Sequence, residues 1–147
     1  MPQISILFFG SSENSAIVKQ ALVQAGYQFA DNLKTADLII VADYGQKVPT
    51  KGLNLHPSLL PKYRGATPVP YAILNKDTET GISIIKMTDK FDCGPIVAQA
   101  TVVIKPDDTT PYLLKRCFTA GAQLLIKILP DYLSGKIKLT PQPIKSP

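Results

Sequence analysis

Two short, almost uninterrupted apolar runs constrain this chain most. They are Ile4 to Phe9 and Asp37 to Ala42 (DLIIVA), and a helical pattern lies between them. Ile17 and Ala21, with Val18, Leu22 and Ala25, recur at helical spacing after Gly10-Ser11-Ser12, and Gly26 is placed to stop the helix. A strand buried on both faces, a helix and a second such strand open an α/β unit with parallel strands covered on both sides. Further strands are expected over 52–56, 82–87 and 96–104. A short helix is expected from Pro68 to Leu74, with Thr67 as its N-cap. Thr109-Thr110-Pro111 opens a long helix that Pro130 should end or kink. At 147 residues the chain fits one domain, and 45% apolar residues suit a packed core. No apolar run approaches the roughly 20 residues that span a bilayer, so no membrane partner is expected.

The net charge of +5 is unevenly placed. Residues 1–109 hold ten Lys/Arg and ten Asp/Glu, whereas residues 110–147 hold six basic residues and one acid, Asp131. Lys115, Arg116, Lys127, Lys136 and Lys138 therefore read either as a surface for an anionic partner such as RNA or as a solvated helix and tail. Met1-Pro2-Gln3 has no basic region or cleavage site of a secretory signal, and Cys93 and Cys117 read as reduced thiols, so a cytoplasmic location is expected. Two cysteines and one histidine without CxxC spacing make a poor ligand set, and no metal is expected.

The chemistry concentrates around the one histidine, His56. In Gly52-Leu53-Asn54-Leu55-His56, strand alternation puts Leu53 and Leu55 on one face and Asn54 and His56 on the other. The pair lies at a strand's C-terminal end, where open α/β sheets bind ligands. Five of the thirteen prolines (Pro49, Pro57, Pro61, Pro68 and Pro70) stiffen the surrounding chain. The loop Asp89 to Asp92 offers carboxylates to the imidazole. An amide, an imidazole and a carboxylate can stabilise an oxyanion and move a proton, but they include no nucleophile. The set suits a reaction whose substrate brings its own.

The segment Asn54-Leu55-His56-Pro57-Ser58-Leu59-Leu60-Pro61, continuing Lys62-Tyr63-Arg64-Gly65-Ala66, resembles the signature loop of the folate-dependent formyltransferases. Asp92-Cys93-Gly94-Pro95 resembles that family's aspartate loop. Phe8 to Glu13, Ala36 to Pro49 and Ile73 to Gly81 are similar to further segments of its methionyl-tRNA branch. The resemblance implies a three-layer, Rossmann-like α/β fold with a mainly parallel sheet. It implies a catalytic trio of Asn54, His56 and Asp92, and 10-formyltetrahydrofolate as co-substrate. Tyr44, Gly45, Gln46, Val48, Ser58, Leu59, Leu60, Pro61 and Asp89 would form the folate site. Gly10, Ser11, Ser12, Arg64 and Gly65 would meet the acceptor. A substrate amine would attack the formyl carbon, with the oxyanion held by the trio.

Compared with that family, only Tyr27 to Thr35 stands where further strand-helix units are usual. The sheet is therefore expected to be reduced, with the first strand as its new edge and open to pairing into a homodimer. Residues 1–140 would form the catalytic domain and 141–147 a Pro-rich, surface or loose tail, with the family's C-terminal barrel domain absent. The leading expectation is formyl transfer to methionyl-tRNA, with charged initiator tRNA as partner. The alternatives are formyl transfer to a small amine (glycinamide ribonucleotide or an amino sugar nucleotide) and an inactive folate- or RNA-binding relic.

Overall fold

The apolar runs take their places according to pattern in a computed structural model that describes residues 4–46, 48 and 52–143. The elements, in order, are β1 (Ser5–Phe9), α1 (Glu13–Gln24), β2 (Gln28–Phe29), β3 (Leu38–Ala42), β4 (Leu53–His56), α2 (Pro68–Leu74), β5 (Glu79–Lys86), β6 (Ile96–Val103) and α3 (Thr110–Leu133). They build one six-stranded sheet in the order β2-β1-β3-β4-β5-β6. The β2/β1, β1/β3 and β3/β4 pairings are parallel, and β4/β5 and β5/β6 are antiparallel. Along β3 and β4, Ala42 pairs with Leu55, so both strands end at the same side of the sheet. Phe9 pairs with Val41 and brings the end of β1 there as well.

Helix α1 starts at a capping box in which Ser12 and Ser15 satisfy each other's backbone amides. It buries Val18 and Leu22. Helix α3 buries Leu113, Cys117, Phe118, Gly121, Ala122, Leu125 and Leu129 as one stripe, the pattern of a helix laid on a sheet. All three helices feed one apolar core with Ile6, Ile40, Leu53, Leu55, Ile82 and Ile84 from the strands. The cluster on the opposite face is smaller. Ile39, Val41 and Val48 form it, with Leu7, Phe9, Tyr44 and Met87 packed against them. The third layer is thus made of loops, and these are the loops that carry the candidate site.

Several sequence-based expectations need correction. The first strand is not the sheet edge, because residues 27–35 supply β2, which pairs Ser5 with Gln28 and Ile6 with Phe29. Two residues of extended chain are enough to cover that end of β1, and any edge pairing would pass to β2. Pro130 does not end α3, which continues through Leu133; the amides of Ser134 and Gly135 close the helix on the carbonyls of Pro130 and Tyr132. Thr67 makes no side-chain cap, and proline in the first turn opens α2 without one. Arg116 is not a free basic group. It grips both oxygens of Asp108 at 2.6 Å and the Val103 carbonyl at 2.7 Å, bracing the turn from β6 into α3. The chain entering the tail lies on the surface and is tied down there. Thr140 and Ile96 exchange backbone hydrogen bonds of 2.7 and 2.9 Å.

Candidate active site

His56 ends β4 opposite Ser83 of β5, and its ring is buried. Asn54 lies two residues earlier on the same face and is half-buried. Asp92 comes from farther away. Its loop leaves β5 after Lys86, which pairs with Leu53 at the opposite end of β4. The loop then folds back across the sheet face. Gly94 makes this return possible, since a Cβ there would collide with the Lys86 carbonyl oxygen. Asp92 itself takes a left-handed φ of 60°, which aspartate tolerates better than most residues.

The loop delivers the Asp92 carboxylate to 3.3 Å from His56 Nδ1. The other ring nitrogen, Nε2, lies 2.9 Å from the Tyr63 carbonyl oxygen. A carbonyl only accepts, so Nε2 carries a proton. Nδ1 therefore faces the Asp92 carboxylate while Nε2 donates to the Tyr63 carbonyl. Burial works to raise the Asp92 carboxyl. The His56 hydrogen bond and charge, the Gly65 amide and the Arg64 charge outweigh it and hold Asp92 below the usual carboxylate range.

The Ser58-to-Pro61 loop is fixed from beneath by a polar network. Buried Ser83 accepts from the Leu60 amide at 3.0 Å and donates to the Ser58 carbonyl at 2.6 Å. Gln99 Nε2 donates to the Leu60 carbonyl at 3.0 Å and to Ser83 Oγ at 2.8 Å. Ser58 is itself buried and donates to the Lys62 carbonyl at 2.6 Å. Its hydroxyl therefore shapes the loop. Leu59 is half-buried, Leu60 is buried, and the Leu60–Pro61 peptide is cis. Tyr63 is anchored by its hydroxyl, which donates to Asp77 at 2.7 Å and accepts from Asn75 at 2.9 Å.

The structure distributes the remaining candidates unevenly. Tyr44 stacks at a tilt on Phe9, 5.4 Å between ring centres, and its hydroxyl donates to Gln46 at 3.3 Å. Gly45, Gln46 and Asp89 are exposed, and Val48 is buried beside Val41. Lys47, Pro49, Thr50 and Lys51 lie outside the described residues. At the end of β1, Gly10 has a packing reason, because a Cβ would strike the Ala42 carbonyl and Ser15. Ser12 caps α1 and donates to Asp43 at 2.5 Å, while Ser11 is exposed. Gly65 donates its amide to Asp92 Oδ2 at 2.8 Å, and Arg64 reaches Gln142 at 3.1 Å and the Pro143 carbonyl at 2.6 Å. Two of the five candidate acceptor residues, Arg64 and Gly65, thus brace the Asp92 side of the site.

Four contributors escape a sequence reading: the Tyr63 backbone, Ser83, Gln99 and Gln142. Ser83 left a signal, a small polar residue inside the buried strand run Ile82 to Ile85. A carbonyl contact and a proline-flanked glutamine leave none. Among the described residues no three His, Cys, Asp or Glu side chains form a metal cluster, and no helix is long and apolar enough to cross a membrane. Burial pushes the Cys117 thiol up to about 12, which suits a core residue and not a nucleophile.

Comparison with known proteins agrees with this fold. The profile of the Formyl transferase family matches residues 12–129. A methionyl-tRNA formyltransferase of Lactobacillus acidophilus is 46% identical over 115 residues, covering 73% of this chain and 37% of the relative. That of Streptococcus agalactiae is 41% identical over 139 residues, covering 88% of this chain and 45% of the relative. The chain thus spans less than half the length of these relatives. HypX from Aquifex aeolicus, solved in complex with tetrahydrofolic acid, superposes with a TM-score of 0.84 at 20% identity, over 97% of this chain and 29% of that one. The formyltransferase PseJ from Anoxybacillus kamchatkensis gives 0.79 at 23% identity, over 97% and 84%. Both share the fold.

Proposed function

The chain belongs to the formyl transferase family, and from that premise we propose that it moves a formyl group from 10-formyltetrahydrofolate to the amino group of methionyl-tRNA. The observation that carries the reading is the Asp92 carboxylate brought across the sheet face to His56, 3.3 Å from Nδ1. The return of that loop sets a carboxylate beside the imidazole at the strand end that also carries Asn54, the arrangement an acid–base pair beside an oxyanion site calls for.

The residues present fit the folate. Half-buried Tyr44 and Leu59 offer flat and branched apolar surface, backed by buried Val48 and Leu60, and Tyr44 to Gln46 and Asp89 to Asp92 would add backbone donors and acceptors for a planar heterocycle. The bound folate would supply the formyl carbon and the nitrogen that leaves with a proton. Asn54 and His56 donate to the formyl oxygen as it gains charge, with the His56 donor exchanging the Tyr63 carbonyl for that oxygen. Asp92 would orient His56 and help carry the proton lost by the attacking amine to the leaving folate nitrogen. The proposed catalytic unit is residues 1–140, braced by Gln142 just beyond it, and charged initiator tRNA is the proposed partner.

The test presents 10-formyltetrahydrofolate with methionyl-tRNA, glycinamide ribonucleotide and an amino sugar nucleotide in separate reactions. Formylation of methionyl-tRNA is expected. Formylation of a small amine alone would move the assignment to that acceptor class, and no transfer to any acceptor would leave a binding relic.

A further inference from the structure

We propose that Gln142 is a positioning residue of this site, its carboxamide tying the Asp92 loop to Arg64 and so holding the Asp92 carboxylate against His56. The assignment rests on the formyl-transfer reading for its functional meaning, but the geometry stands by itself.

Asp92 needs holding. Its loop makes a long return from the far end of β4, and Thr88, Asp89, Lys90 and Phe91 before it are exposed. Little apolar packing restrains that stretch. The left-handed backbone at Asp92 persists only where surrounding contacts impose it. His56 Nδ1 and the Gly65 amide act on the carboxylate. Gln142 Nε2 holds the backbone on either side of Cys93. It donates to the Asp92 carbonyl at 3.0 Å and to the Gly94 carbonyl at 2.6 Å.

Gln142 is well placed for this. Two residues earlier Thr140 is locked to Ile96 by the reciprocal backbone bonds, and Pro141 and Pro143 flank the glutamine with fixed φ angles. Its Oε1 accepts from Arg64 Nη2 at 3.1 Å, and Arg64 also binds the Pro143 carbonyl at 2.6 Å. Arg64 precedes Gly65, whose amide holds the second Asp92 oxygen. One carboxamide therefore joins three segments, residues 63–65, 92–94 and 140–143. It uses both of its N–H donors and its oxygen to do so. Glutamate at this position keeps the acceptor and loses both donors. Methionine keeps the length and loses all three bonds. Asparagine keeps the chemistry and is one methylene short.

The only histidine in the chain provides the readout. In a 15N-labelled protein, the ring correlations of His56 come from a single imidazole. The wild type is expected to show a downfield Nδ1 proton, bonded to Asp92. In Gln142→Met and Gln142→Glu that signal should be lost or broadened, with the overall spectrum still dispersed. Turnover should fall on the order of 10-fold to 100-fold, as for a misplaced catalytic group, while KM for the folate stays within about twofold. In an Asp92→Asn background the same glutamine substitutions should have no further effect on turnover. If Gln142→Met fails to fold, Gln142→Asn poses the same question with a shorter amide. An unchanged His56 ring signal and unchanged turnover in a folded Gln142 variant overturn the proposal. Absence of formyl transfer by the wild type defeats the functional reading instead, and the ring spectrum still decides whether Gln142 positions Asp92.

Discussion

Asp92 carries a measurable consequence of its surroundings. Its carboxyl is depressed, so it stabilises the folded state above the unfolded-chain value, and that contribution is lost as pH falls through the lower, folded value. Asp92→Asn should therefore destabilise the protein near neutrality, and the gap from wild type should close in acid, below the ordinary carboxylate range. Urea unfolding followed from pH 7 down to pH 3 checks this; a gap that widens toward acid contradicts it. The residue scale was also where the sequence was most legible. Asn54 and His56 could be placed on one face from alternation alone, because β4 has period two and its leucines had to face the core. Asp92 could be paired with His56 only through the family resemblance. Nothing in the sequence shows that a loop crosses a sheet face, or that the Tyr63 carbonyl meets Nε2.

The elements show which joints hold the candidate site together. Gly94 is the joint of the Asp92 loop. Gly94→Ala would put a methyl group against the Lys86 carbonyl, so the loop must lift and draw Asp92 from His56. Turnover should drop on the order of 10²-fold, the scale of an ångström's misplacement, with the sheet intact by circular dichroism; full activity would show that the loop has slack. The Asp108–Arg116 pair is the joint between β6 and α3. The Arg116 hydrogen bonds, with the Lys105 amide, hold the Asp108 carboxyl down from 3.8 to about 2. That depressed carboxyl stabilises the fold above pH 3.8 and stops doing so as pH falls through about 2. Asp108→Asn should lower the melting temperature at pH 7, and the gap should shrink markedly toward pH 2, by scanning calorimetry. Element positions followed from continuous apolar runs and helical spacing. The failures have local causes. A two-residue strand has too little pattern to detect, and a proline near a helix end leaves room for one more turn. Thr140 and Gln142 were hidden because a proline-rich tail looks loose unless its bonding partners are known.

At the scale of the molecule, the helix side is fully built, and the opposite face is made of the loops that form the site. Among the described residues, the basic excess of 110–147 remains as Lys115, Lys127, Lys136 and Lys138, with Arg116 committed to Asp108. If tRNA is the acceptor, its affinity should fall with salt, and each lysine replaced by glutamine that contacted a phosphate should reduce the log–log slope by about 0.7–0.9. A slope indifferent to all four would remove these residues from the acceptor surface. The central claim is that Asn54, His56 and Asp92 act on the formyl group of a bound folate while an acceptor amine attacks it. Single-turnover transfer of a labelled formyl group to methionyl-tRNA, by wild type and His56→Ala, tests it most directly. The account predicts transfer by the wild type and a rate lower by on the order of 10²–10³-fold in the variant, with folate affinity little changed; equal rates in the two proteins would contradict it.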